Sequence, residues 1–191
     1  QDGHHFGVYG QRLSSLGEKL SDEFQISQSA LNNQRQPAVT ALSGGGFIVA
    51  WISEHLRGVS FSTPPTGENR ERGSGALDYD VQVLTRSFGN DGQPLRDEVA
   101  VSSASRIAAN PALASRPDGA VLAVWSSFKP VESAQDKEER ERWDVMAAPL
   151  ALDGTLAGPE FCLNHVRAGD QYAPSVTSLR NEFQVIWTSL A

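Results

Sequence analysis

The side chains with the widest chemical reach in this chain are four histidines, His4, His5, His55 and His165. Neutral imidazoles beside Asp or Glu hold transition metals, and a histidine titrating near neutrality serves as a general base. Their spacing matches no compact ligand motif, so any joint site must be assembled by the fold. Asp78-Tyr79-Asp80 and Asn90-Asp91-Gly92 offer oxygen ligands. Neither has the alternation closing on a bidentate Glu that defines a strong calcium loop, and turn chemistry accounts for both. The expectation is no cofactor, with calcium the one alternative kept open. Cys162 is the only cysteine, so neither an intrachain disulfide nor a Cys-based zinc site is available. It reads as a small buried hydrophobe on a strand. No Gly-rich phosphate loop precedes a helix, and no Gly-x-Ser-x-Gly elbow is present.

The elements that must position these residues come in repeats. Gln36-Pro37-Ala38-Val39 leads to Phe47-Ile48-Val49-Ala50-Trp51; Asn110-Pro111-Ala112-Leu113 leads to Val121-Leu122-Ala123-Val124-Trp125; Ala173-Pro174-Ser175-Val176 leads to Phe183-Gln184-Val185-Ile186-Trp187. Pro stands 13 or 14 residues before Trp each time. A second unit alternates with the first: Phe6–Leu13, Tyr79–Phe88 and Trp143–Leu150, each followed by a Gly-bearing turn and an acidic-apolar segment, Asp22–Ser27, Asp97–Ser102 and Pro159–Asn164. Short runs rich in Val, Ile, Phe and Trp are strands. Asn-Asp-Gly and Pro-Asp-Gly supply the positive φ of tight hairpins. Pro37, Pro111 and Pro174 are expected at strand starts, where no ladder donor is lost.

One unit therefore reads as four strands, A to D, and missing such repeats would mis-assign the fold. The prediction is an all-β chain, a β-propeller-like array of four-stranded antiparallel blades amounting to about three blade equivalents. The boundaries are 1–27 (half-blade, strands C and D), 37–102 (blade), 111–164 (blade) and 174–191 (half-blade, strands A and B). Trp51, Trp125 and Trp187 are expected at equivalent positions. Propellers have four to eight blades, so the chain is expected either to belong to a longer array or to combine with another chain. Two copies exchanging half-blades would make a six-bladed ring, and an isolated monomer is not expected to be stable.

These residues resemble a repeat of large bacterial secreted and surface proteins, often found beside RTX-type calcium-binding arrays, with the pattern P-x-V-x-x-L-x-D-G-G-F-V-V-x-W. Gly45–Trp51, Gly7–Leu13, Gly17, Glu23–Ile26 and Ala168–Gln171 with Pro174 carry the likeness. It covers most of the chain and implies an extracellular or cell-surface location.

The irregular segments, 28–36, 54–78, 103–110, 128–142 and 165–173, all fall on one face of such blades, and binding concentrates on long loops over a rigid scaffold. The candidate binding residues there are His55, Arg57, Phe61, Arg70, Arg72, Phe128, His165 and Tyr172. Asp136–Arg142 reads as a short charged helical turn. The net charge of -7 argues against nucleic acid. The longest apolar run, Phe47–Ile52, is far short of a membrane helix. The function expected is a non-enzymatic scaffold or adhesion module. Its partner would be another copy of itself or another protein chain completing the propeller, or a glycan. The alternatives are a polysaccharide-active enzyme with a histidine-containing site and a structural spacer.

Overall fold

The structure, a computed structural model, describes residues 6–29, 33–60, 76–129, 142–166 and 168–190, without the side chains of 57–60 and 76–78. Its regular structure is all β. The strands are β1 (Tyr9–Gly10), β2 (Phe24–Gln25), β3 (Asn33–Ala41), β4 (Phe47–Ser60), β5 (Ala76–Phe88) and β6 (Val99–Ala100). They continue with β7 (Ile107–Ser115), β8 (Val121–Phe128), β9 (Trp143–Leu150), β10 (Phe161–Cys162), β11 (Asp170–Ser178) and β12 (Phe183–Leu190). No helix occurs among the described residues, so none there is long and apolar enough to cross a membrane.

The strands form four antiparallel sheets: β1-β2, β3-β4-β5-β6, β7-β8-β9-β10 and β11-β12. The same local chemistry builds each one. Val8, Val83 and Val145 donate their backbone N–H to the side-chain oxygens of Ser27, Ser102 and Asn164, at 3.2, 2.8 and 2.8 Å. The carbonyls of these three valines accept from the N–H of Ile26, Val101 and Leu163. Each clip ends the pairing of the third strand with the fourth. At the opposite end the turns carry Gly17, Gly92 and Gly154 at φ 82, 83 and 89°. In the β3–β4 hairpin Gly46 is needed twice over: φ is 81°, and a Cβ would stand 2.2 Å from the Phe88 carbonyl oxygen.

The prolines are not at strand starts. Pro37, Pro111 and Pro174 lie inside β3, β7 and β11, at register shifts between Arg35 and Ala38, Ala109 and Ala112, and Tyr172 and Ser175. The preceding residues Gln36, Asn110 and Ala173 have φ of 54, 51 and 52°. A bulge leaves one residue out of the ladder, so a proline is accommodated there without losing a bond. Two bulges are held from the preceding sheet: Asn110 N–H donates to Gln36 Oε1 at 2.9 Å, and Ala173 N–H to Ser126 Oγ at 2.9 Å. Trp51, Trp125 and Trp187 each stand across from a bulge.

Segment 54–78 is also more regular than its Gly and Pro content suggested. Pairing of β4 with β5 continues through His55↔Asp80 and Leu56↔Tyr79 to Ser60↔Ala76, leaving 61–75 outside the described residues. Backbone pairing outruns the apolar pattern because ladder bonds do not require apolar side chains. The predicted turn at 136–142 lies outside the described residues except Arg142.

The sheets stack face to face in chain order. Val8 and Ile26 meet Val49, Trp51 and Phe88 between the first two sheets. Ile48, Ala50, Ile52 and Val83 meet Leu113, Val121, Ala123, Trp125 and Met146 between the second and third. The pair β11-β12 lies against β7, β8 and β9 through β11.

Candidate functional site

The candidate residues of the irregular face are spread over three sheets. His55 is on β4, opposite Asp80, and is not in a loop. Arg57 is on the same strand, its side chain undescribed, and Phe61, Arg70 and Arg72 lie outside the described residues, as do His4 and His5. Phe128 closes β8 and packs on Trp143, ring centroids 5.5 Å apart. It is therefore engaged in packing. His165 is exposed beyond β10, and Tyr172 is on β11 opposite Thr188. Among the described residues no group of three or more His, Cys, Asp or Glu is placed to hold a metal ion. Asn90 and Asp91 use their side-chain oxygens on the backbone N–H of Gly46 and Gln93, at 2.7 and 3.0 Å. Cys162 is half-buried, its Sγ directed at Asn164.

The same end of the third sheet holds a polar cluster that the motifs did not announce. Asp144 is buried, and Asn164 Nδ2 donates to its Oδ1 at 2.9 Å. Arg106 lies 3.3 Å from Oδ2 and Arg142 3.6 Å from Oδ1. Asn164 also holds Val145 N–H and donates to the Val166 carbonyl at 3.0 Å. Both carboxylate oxygens are thus occupied, and the cluster ties three chain segments together. Its chemistry is that of an anchor.

A concavity lies elsewhere, beside β1. A cavity of about 520 Å³ is bounded by Tyr9–Leu13 on one side and by Pro37–Val39, Phe47 and Val49 on the other. None of the eight candidate residues lines it. Two local facts create it. β1 pairs only with β2, so no described strand occupies its other edge. The face of β3-β4 turned toward the first sheet extends past that sheet, leaving Val39 65% exposed, whereas Leu113, its counterpart on β7, is 9% exposed. Gln11 Oε1 is buried in this wall and has no hydrogen-bond donor among the described residues. The mirror of this feature is at β12, which pairs only with β11. There Ile186 is 63% and Trp187 38% exposed, while Trp51 and Trp125 are 0% and 1%.

No family model and no curated protein matches the chain. The functional features of the described residues lie in their geometry. That geometry points to two unfinished sheet edges, at β1 and β12, each flanked by uncovered apolar side chains. The residues of the first edge, Tyr9, Arg12, Val39 and Phe47, carry no catalytic signature. Their signal in the sequence was only that the first unit has two strands where the middle units have four.

Proposed function

We propose that the chain is a non-enzymatic scaffold or adhesion module of an extracellular or cell-surface protein, folded as a propeller-type array of four-stranded blades. It acts through its two-stranded sheets, which take up further strands at their open edges. The observation that carries this reading is one strand position, occupied three times, in two environments. Trp51 and Trp125 are sealed between sheets, and Trp187 is left 38% exposed. Its indole N–H nonetheless keeps the equivalent bond, to Gln171 Oε1 at 3.0 Å, matching Trp51 to Gln34 at 2.5 Å. The strand is thus already shaped for a neighbour. An open strand edge with apolar pockets beside it is the chemistry of strand addition. The extracellular placement is supported by the resemblance of the repeat. Light scattering on the purified chain at micromolar concentration tests the reading. Association is expected, and a soluble, well-folded monomer would overturn it.

A further inference from the structure

We propose that the strands completing each open sheet come from a second copy of this chain: β12 of one copy pairs with β1 of the other in one defined register. The inference rests on the strand-completion reading above and names its partner.

The register follows from the two complete sheets. In one, Trp51 pairs with Leu84 and Phe47 with Phe88. In the other, Trp125 pairs with Met146 and Val121 with Leu150. Leu84 and Met146 each come directly after the valine clipped by Ser102 or Asn164. The clipped valine of β1 is Val8, so the equivalent residue is Tyr9. The same rule sets Trp187 opposite Tyr9, Val185 opposite Gln11 and Phe183 opposite Leu13. A shift of one residue would turn every side chain to the wrong face.

The faces agree with that register. Ala50 and Val124, at the position of Ile186, are both fully buried. Ala50 belongs to the core shared with the following sheet. With β12 beside β1, Ile186 of the second copy enters the cavity against Val39 and Phe47. Its β11 then lies on β3 as β3 lies on β7 and β7 on β11 within one chain. The interface repeats a packing the molecule already makes twice.

The polar contacts agree as well. After the first two clips, the next residue binds an acidic side chain on the following sheet. Gln28 donates its N–H to Glu98 Oε2 at 2.8 Å and its Nε2–H to Asp97 Oδ1 at 2.7 Å. Ser103 N–H donates to Glu160 Oε2 at 3.1 Å. After the third clip residue, Asn164, stands His165, and the acidic pair without such a neighbour is Asp22-Glu23; all three are exposed. Pairing β12 with β1 puts Asp22-Glu23 of the second copy beside His165. Each copy both gives and receives, and two copies that do so for each other close a two-fold assembly.

The test is a disulfide in a Cys162→Ser background. Val185→Cys with Gln11→Cys is in register. Val185→Cys with Leu13→Cys, on the same face, is two residues out. Directly opposed Cβ atoms lie about 4.5–5.5 Å apart and diagonal ones about 7–8 Å, so only the first pair is within easy reach of a disulfide. Expected on non-reducing gels is a covalent dimer from the in-register pair and none from the control. A disulfide within one chain would show that the sheets close on themselves and would overturn the second copy as partner. A dimer by light scattering without the in-register bond, or with equal cross-linking of the control, overturns the register and leaves strand completion standing. A monomer with no disulfide overturns both. If the cysteine variants do not fold, Ile186→Asp in the otherwise native chain decides. It buries a charge at the interface alone, so the dimer should weaken about a hundredfold or more with an unchanged circular dichroism spectrum. Unaltered dimerisation would refute the arrangement.

Discussion

Replacing equivalent tryptophans by alanine should cost unequal amounts, because their surroundings differ while their place in the repeat does not. Trp125 is 1% exposed and packs among Leu113, Val121, Ala123 and Met146. A tryptophan side chain offers roughly 200 Å², and at about 25 cal/mol per Å² its full burial is worth roughly 5 kcal/mol. This agrees with the roughly 3–5 kcal/mol seen when large aromatic side chains are truncated in cores. Trp187 keeps 38% of its surface in solvent, so the same reckoning gives roughly 3 kcal/mol. Its indole bond to Gln171 adds about 1 kcal/mol, for roughly 4 kcal/mol in all, which narrows the gap but leaves the ranking unchanged. Urea unfolding followed by far-ultraviolet circular dichroism, on dilute samples, measures both. The expected order is Trp125→Ala more costly than Trp187→Ala by roughly 1 kcal/mol. At concentrations where copies associate, the cost at Trp187 should rise toward that at Trp125, since association covers it. Equal costs in dilute samples, or a cost at Trp187 independent of concentration, would refute the reasoning.

Two further outcomes are expected. Asp144→Ala takes a buried carboxylate from between two half-buried guanidinium groups, and since breaking a fully buried ion pair costs about 3–5 kcal/mol, a loss of up to about 3 kcal/mol is expected. A urea midpoint unchanged from the native chain would rule out the anchoring role. Asp153 links the third sheet to the second through Arg96 at 2.6 Å. Hydrogen bonds from the Thr155 hydroxyl and backbone N–H, and then the Arg96 charge, hold its carboxyl below the ordinary 3.8. A lowered folded-state value stabilises the fold above the unfolded-chain value and loses that contribution as pH falls through the folded one. The stability difference between the native chain and Asp153→Asn should therefore be present at neutral pH and shrink below about pH 4. A difference that stays constant or grows in acid would contradict it.

Strand positions and turns are legible in the sequence because they rest on local physics. Alternating Val, Ile and Phe mark strands, and Gly17, Gly92 and Gly154 mark turns that need positive φ. The recurrence of Ser27, Ser102 and Asn164 after Ile26, Val101 and Leu163 already contained the clip, although its hydrogen bond to the opposite valine was visible only once the strands were paired. Other features belong to the tertiary structure. The bulges at Pro37, Pro111 and Pro174 depend on a register that proline alone does not specify. The arm of β4 and β5 beyond His55 is held by backbone bonds, which leave no apolar pattern. Asp144, Arg106 and Arg142 meet only because β9 and the approach to β7 end side by side. Above all, Trp125 and Trp187 stand at the same position of the repeated segment, each behind an apolar strand run. One is sealed and the other exposed because burial is set by the sheet on either side. A neighbouring sheet is a property of the stack, not of the residue.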